Sequence, residues 1–340
     1  MSIDMTTAYL KMQLKNPLVV SACPLTGKLD SLLALENAGA SAVVLQSLFE
    51  EQIEHEELEW VRLHEFAGES NAESLSYLPE LEDYNSGPEP YLEFIESAKQ
   101  ALSIPVIASL NGTSPGKWTR YAKLIELAGA DALELNIYRV PCSSEQTATQ
   151  VENDYVEIVA SVAEELSIPV AVKIGPFFTA LPHFSQRLVK AGASGLVLFN
   201  RYLEPEINIE TLRVEPHLML SSRRELRLVL RWLGILRDQM SCSLAATSGI
   251  HQPEDVVRAL LVGANVTMVA SAVLLHKPAH LSKMLSGLYD WMARRDYASV
   301  TQLIGSVCRD RSADPAAFER DNYMKSLVAF SSNRDWSNDR

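Results

Sequence analysis

The chain has 340 residues, 47% of them apolar and 21% charged, which excludes a disordered, collagen-like or coiled-coil protein and suffices to bury one large core. Its 43 acidic and 30 basic side chains leave a formal charge of −13, which argues against nucleic acid or an anionic membrane as partner. No run of about 18 apolar residues occurs, and Met1-Ser2-Ile3-Asp4 lacks the basic-then-apolar pattern of a signal peptide, so the expectation is a soluble cytoplasmic protein.

In chain order, the first buried strand is expected over 17–20, followed by a helix over 30–38 and a strand at Ala42-Val43-Val44-Leu45. A helix over 89–102 leads to Val106-Ile107-Ala108, and one over 117–128 leads to Ala132-Leu133-Glu134-Leu135. Helices over 153–166 and 183–191 precede Val170-Ala171-Val172 and Gly195-Leu196-Val197-Leu198-Phe199. A helix over 223–238 then precedes Ser243-Leu244-Ala245-Ala246, and one over 253–261 precedes Val266-Thr267-Met268-Val269. Four helix-to-strand junctions share Gly-Ala (Gly39, Gly129, Gly192, Gly263), the left-handed cap that ends a helix before a doubly buried strand. Ser103-Ile104-Pro105 and Ser167-Ile168-Pro169 introduce two more strands, proline being tolerated at a strand's first residue.

Eight strand–helix units predict an α/β fold, a (β/α)8 TIM barrel. A doubly wound open sheet is the rival, but its glycine-rich first turn is absent. The connections 47–88 and 201–222, after strands 2 and 6, are too long for ordinary loops and fall on the rim that carries chemistry in barrels. The acidic stretch 50–59 reads either as a partner surface or as a solvated helix face. Residues 276–308 read as closing helices, so that 1–310 form one domain, and 311–340 a C-terminal helix (320–330) and loose tail.

Cys23, Cys142, Cys242 and Cys308 form no paired motif, and His276 and His280 are separated by Pro278, so a metal site or disulfide framework has no sequence support. Polar residues at strand ends are the candidates. Lys173 closes an apolar run, where an unpaired ammonium is expensive. It reads as a lysine paired with Glu134 on the neighbouring strand, as a cation facing an electron-rich ligand, or as a Schiff-base amine of an aldolase. Ser248-Gly249 and Ala270-Ser271, ending strands 7 and 8, read as a phosphate site or as a simple turn and cap. Asn136 and Asn200 read as amide contacts to a polar heterocycle, or as turn formers.

These residues resemble the dihydroorotate dehydrogenase family of FMN-containing barrels, its class 1 members in particular. The stretch from Thr6 to Pro17 is similar to the family's N-terminal β-hairpin leading into strand 1. Ser21-Ala22, Ser109 with Gly112, Glu134-x-Asn136, Val172-Lys173, Asn200, Ser248-Gly249-Ile250 and Ala270-Ser271 follow in family order. The resemblance implies FMN held by Ser21, Ala22, Gln46, Ser47, Ser109, Asn136, Lys173, Asn200, Ser248, Gly249, Ala270 and Ser271. Lys173 would stabilise the charge of reduced flavin, and Asn136, Arg139, Asn200 and Arg201 would contact the substrate. The implied activity is oxidation of dihydroorotate, or a related CH–CH substrate, in pyrimidine biosynthesis by a cytoplasmic homodimer.

The departures lie at the reacting centre. Where class 1 members carry a cysteine base, this chain has Arg139, which cannot accept a proton at working pH. Cys142, three residues on, is the alternative base or an inert buried thiol. The family's Lys-Ser on strand 2 is Gln46-Ser47, the serine after Asn200 is Arg201, and the glycine pair of the flavin-covering loop is Ser221-Ser222. Asn85-Ser86-Gly87 is the nearest remnant of the asparagine-rich substrate loop. The catalytic candidates are therefore Lys173, Cys142 and Arg139. A second reading is a flavin-binding relative without dihydroorotate turnover, acting as an accessory or electron-transfer partner.

Overall fold

The computed structural model describes residues 3–53, 88–112 and 118–332. The chain opens with an antiparallel hairpin, β1 (Thr7–Tyr9) and β2 (Met12–Leu14), in which Tyr9 pairs with Met12. Its two-residue turn, Leu10-Lys11, has positive φ at both positions (49° and 62°), the geometry that matches the twist of a tight hairpin.

The eight expected apolar runs become parallel strands: β3 (Leu18–Val20), β4 (Ala42–Val44), β6 (Val106–Asn111), β7 (Ala132–Asn136), β8 (Val170–Ile174), β9 (Gly195–Leu198), β12 (Ser243–Thr247) and β13 (Val266–Val269). Each pairs with the next, and β13 pairs with β3, which closes the (β/α)8 barrel. A further strand not anticipated, β5 (Leu48–Phe49), continues β4 beyond a break and pairs with the end of β6.

Alternation along each strand sets two cores. Leu133, Val172, Leu196 and Leu244 face outward into the layer beneath the helices. Val19, Ala42, Ala132, Ala171, Val197 and Ala245 face the barrel axis. The inward residues at the bottom are small, and the hairpin fills the space they leave: Tyr9, Leu10 and Leu14 are buried among them. An added Cβ on Gly195 would lie 2.6 Å from Leu10 Cδ2, so a side chain at the first residue of β9 would have to displace the tip of Leu10. Thr7 Oγ1 donates to the Asn265 carbonyl and Leu10 N to Ser243 Oγ, tying the plug to the strand ends.

The helices are α1 (Leu29–Asn37), α2 (Pro88–Ala101), α3 (Trp118–Leu127), α4 (Ala148–Glu165), α5 (Leu181–Lys190), α6 (Leu226–Leu236) and α7 (Pro253–Val262), with short α8 (Ser271–His276) after β13. The four repeated glycines all have positive φ, between 95° and 123°, as their capping role requires. The Ser-Ile-Pro repeat also has a cause: Ser103 N and Oγ donate to Glu36, and Ser167 N and Oγ donate to Glu126, so each serine is anchored to a preceding helix. Helix α4 starts about a turn earlier than the apolar pattern indicates because Thr147 and Gln150 form a capping box.

The connection 201–222 contains an exposed hairpin, β10 (Glu206–Asn208) and β11 (Arg213–Glu215). The chain closes with α9 (His280–Arg294), α10 (Val300–Leu303) and α11 (Asp321–Ser332). Most of the insertion after strand 2, including Asn85-Ser86-Gly87 and much of the acidic stretch, and the last eight residues of the tail lie outside the described residues. Among the described residues no helix is long and apolar enough to cross a membrane.

Candidate active site

Lys173 and Glu134 occupy adjacent strands with Lys173 opposite Asn136, one pleat above Glu134. Both point to the barrel axis, in phase with Ala171 and Ala132. Lys173 Nζ lies 3.4 Å from Glu134 Oε1, and Glu134 is 0% exposed. The neutralising partner expected of a buried lysine is therefore present, yet Lys173 also lines a cavity. Among the described residues, Glu134 Oε2 and the Tyr9 hydroxyl have no hydrogen-bond partner. Burial raises the Tyr9 phenol well above its usual range, and the Glu134 carboxylate raises it further. Burial also raises the Cys23 thiol, against opposing backbone N–H groups and the Lys173 charge.

The cavity above Lys173 measures about 160 Å³. Its wall brings together Ser21 and Ala22 after β3, Asn200 after β9, Ser248 and Gly249 after β12, and Ala270 and Ser271 after β13. The turn at Gly249 explains the local sequence. Its φ is +75°, and an added Cβ would lie 2.6 Å from Leu226 N and 2.8 Å from the Ser222 carbonyl oxygen, so glycine alone fits. Ser248 holds φ +74°, a strained left-handed conformation for a residue with a side chain.

Asp255 fixes this turn from behind. It accepts hydrogen bonds from His251 N and Gln252 N, and a bidentate pair from Arg223 at 2.8 Å each. Arg223 thereby clamps the 221–223 loop onto the strand-7 turn. Burial would raise the Asp255 carboxyl, but these donors outweigh it and hold the group below its ordinary value.

Asn136 and Asn200 converge: both are buried, and Asn200 Nδ2 donates to Asn136 Oδ1. Arg201 follows at the wall, donating to the Met219 carbonyl and lying 3.5 Å from Glu225. Other sequence candidates sit elsewhere. Gln46 and Ser47 line a separate cavity of about 510 Å³ with Tyr91, and Ser47 Oγ is 2.8 Å from Ser109 Oγ. Arg139 pairs with Asp154 of α4 at 2.5 Å. The buried-thiol reading of Cys142 is corrected: Cys142 is exposed, on an irregular loop, with its Sγ donating to the Val140 carbonyl.

Phe199, Thr247, Met268 and Ser221 also line the cavity and were not assigned from sequence. Thr247 and Met268 carry a detectable signal, since each is an inward position at a strand's C-terminal end. Ser221 carries no periodic signal, because a loop has no period from which to read direction; only the family resemblance placed it, with Ser222, in the flavin-covering loop. A neighbouring cavity of about 310 Å³ shares Phe199, Asn200, Arg201 and Ser248 and runs along Phe177 and Tyr202, whose rings stack at 5.4 Å.

Comparison with known proteins meets this geometry. The family model described as dihydroorotate dehydrogenase matches residues 5–292. The catalytic subunit of dihydroorotate dehydrogenase B (NAD(+)) from Methanothermobacter thermautotrophicus is 24% identical over 307 residues, covering 88% of this chain and 97% of the relative. The corresponding Pyrococcus abyssi subunit is 27% identical, covering 86% of this chain and 95% of its own length. Dihydroorotate dehydrogenase A (fumarate) of Limosilactobacillus reuteri is 27% identical, covering 60% of this chain and 68% of the relative. The match runs from the hairpin plug through every barrel strand and into α9, and the chain belongs to the dihydroorotate dehydrogenase family.

Proposed function

We propose that this protein is an FMN-dependent oxidoreductase acting on a CH–CH bond of dihydroorotate or a related anionic heterocycle. One observation carries the reading: a single cavity joins the Lys173 ammonium to the Ser248-Gly249 and Ala270-Ser271 turns. The donor set fits FMN. Gly249, where a Cβ would strike backbone, permits close approach to its N–H, which Ser221 Oγ accepts at 3.3 Å, and with the Ser271 hydroxyl the turn suits a phosphate. Ser21 and Ala22 would flank the ring and Lys173 its electron-rich edge, where a fixed cation favours negative charge.

When bound, the flavin supplies hydride acceptance. The chain's own residues do the rest. The Asn136–Asn200 pair presents amide donors and acceptors that orient a planar polar substrate. Arg201, at the wall, faces a substrate carboxylate. Arg139 is held by Asp154 and shapes the loop after β7, on which we assign the Cys142 thiol as the proton acceptor. Gln46, Ser47 and Ser109 support the second side of the mouth.

We place this enzyme in the cytoplasm as a homodimer. Four free thiols suit a reducing compartment. Exposed Ile207, Ile209, Leu212 and Val214 on the β10–β11 hairpin form an apolar surface suited to a second copy.

The test is the visible spectrum of protein reconstituted with FMN, before and after anaerobic addition of dihydroorotate. Bleaching is the expected result. A bound flavin that stays oxidised supports the second reading, a flavoprotein without dihydroorotate turnover, which the exposure of Cys142 and its absence from the cavity lining favour. Protein that takes up no FMN overturns the proposal, and a borohydride-trapped carbonyl adduct at Lys173 would replace it with the aldolase reading.

A further inference from the structure

We propose that Ser221 sets the specificity of the cavity's phosphate end: its hydroxyl holds the Gly249 N–H that a flavin phosphate would use, so the wild-type chain gains little affinity from that donor. The inference rests on the FMN reading above.

Ser221 is buried at the end of the long connection after β9. Its N–H donates to Ser271 Oγ at 3.0 Å, and its own Oγ lies 2.9 Å from that same atom. Gly249 N–H donates to Ser221 Oγ at 3.3 Å. The Ser221 hydroxyl thus accepts the Gly249 N–H of the strand-7 turn and donates to Ser271 Oγ of the strand-8 turn, lying between the two. The position is not loose. Two residues on, Arg223 is bound bidentately to Asp255, which also accepts from His251 N and Gln252 N beside the turn. Loop and turn are therefore one clamped unit, and Ser221 is carried into the cradle by it.

A phosphate oxygen that takes the Gly249 N–H has to displace the Ser221 hydroxyl and break both of its hydrogen bonds. The gain from a charge-assisted bond is then offset by the loss of neutral ones already made. Glycine at 221 would leave the Gly249 N–H free, and alanine would remove the competing oxygen while keeping the backbone restricted. Riboflavin, which has the same ring and ribityl chain without the phosphate, does not compete for these donors.

The experiment titrates full-length wild type, Ser221→Gly and Ser221→Ala with FMN and with riboflavin, following quenching of flavin fluorescence. Both variants are expected to bind FMN roughly tenfold more tightly, the worth of one charge-assisted hydrogen bond, with riboflavin affinity unchanged. Unaltered riboflavin binding also reports an intact ring pocket in each variant. Weaker FMN binding in the variants would make Ser221 a phosphate ligand and overturn the proposal. So would an unchanged ratio of FMN to riboflavin affinity, or a parallel change in both. Failure of the wild type to bind either flavin overturns the FMN reading itself, and this inference with it.

Discussion

Lys173 Nζ stands 3.4 Å from Glu134 Oε1, longer than the charge-assisted approach of about 2.7–2.9 Å. The ammonium is neutralised from below by a wholly buried carboxylate while remaining at the cavity wall. Replacing Lys173 by Met leaves Glu134 a buried, unpaired charge. The expected loss is about 3–5 kcal/mol in urea unfolding, together with weaker FMN binding. A Lys173→Met/Glu134→Gln double variant should recover most of the stability and none of the binding. Recovery of both would remove Lys173 from the site.

Asp255 ties the acid stability of the site to its geometry. Its carboxyl is held below the ordinary carboxylate value, chiefly against burial, by Arg223 and two backbone N–H groups. A depressed folded-state pKa contributes stability that is present above the unfolded value, near about 4. That contribution is lost as pH falls through the folded value. Thermal midpoints of the wild type should therefore drop below pH 4 more steeply than those of Asp255→Asn. Parallel curves would show that Asp255 carries no linked proton.

Gly249→Ala places a Cβ within 2.6 Å of Leu226 N at φ +75°. Backbone, not a flexible side chain, has to yield, so the expected destabilisation is about 1–3 kcal/mol. FMN and riboflavin binding should fall in parallel, because in the wild type the Gly249 N–H is already held by Ser221 Oγ. A Gly249→Ala protein with wild-type melting and FMN affinity would contradict the close approach.

The barrel bottom offers a test away from the chemistry. Leu10 is fully buried at the hairpin tip, against Gly195. Leu10→Ala should cost about 2–5 kcal/mol by opening a cavity, read as a lower denaturant midpoint. Flavin affinity should stay at the wild-type level, since the plug and the cavity lie at opposite ends of the strands. A selective loss of flavin binding with stability intact would show that the hairpin acts on the site.

What the sequence by itself determined is whatever repeats along the chain. Apolar runs bounded by Gly-Ala or Ser-Ile-Pro specify strands, caps and hence the barrel, because each is a local preference repeated in phase. The direction of Lys173 and Asn136 was legible for the same reason, since a strand's period of two fixes which way they point, while Asn200, Gly249 and Ser271 were legible only as positions just beyond a strand's end. Only the tertiary structure decided what depends on residues far apart. The pairing of Arg139 with Asp154, the exposure of Cys142 and the capture of Ser221 by Ser271 and Gly249 all arise in loops. A loop has no period, and the direction of its side chains is set by partners that the chain order does not reveal.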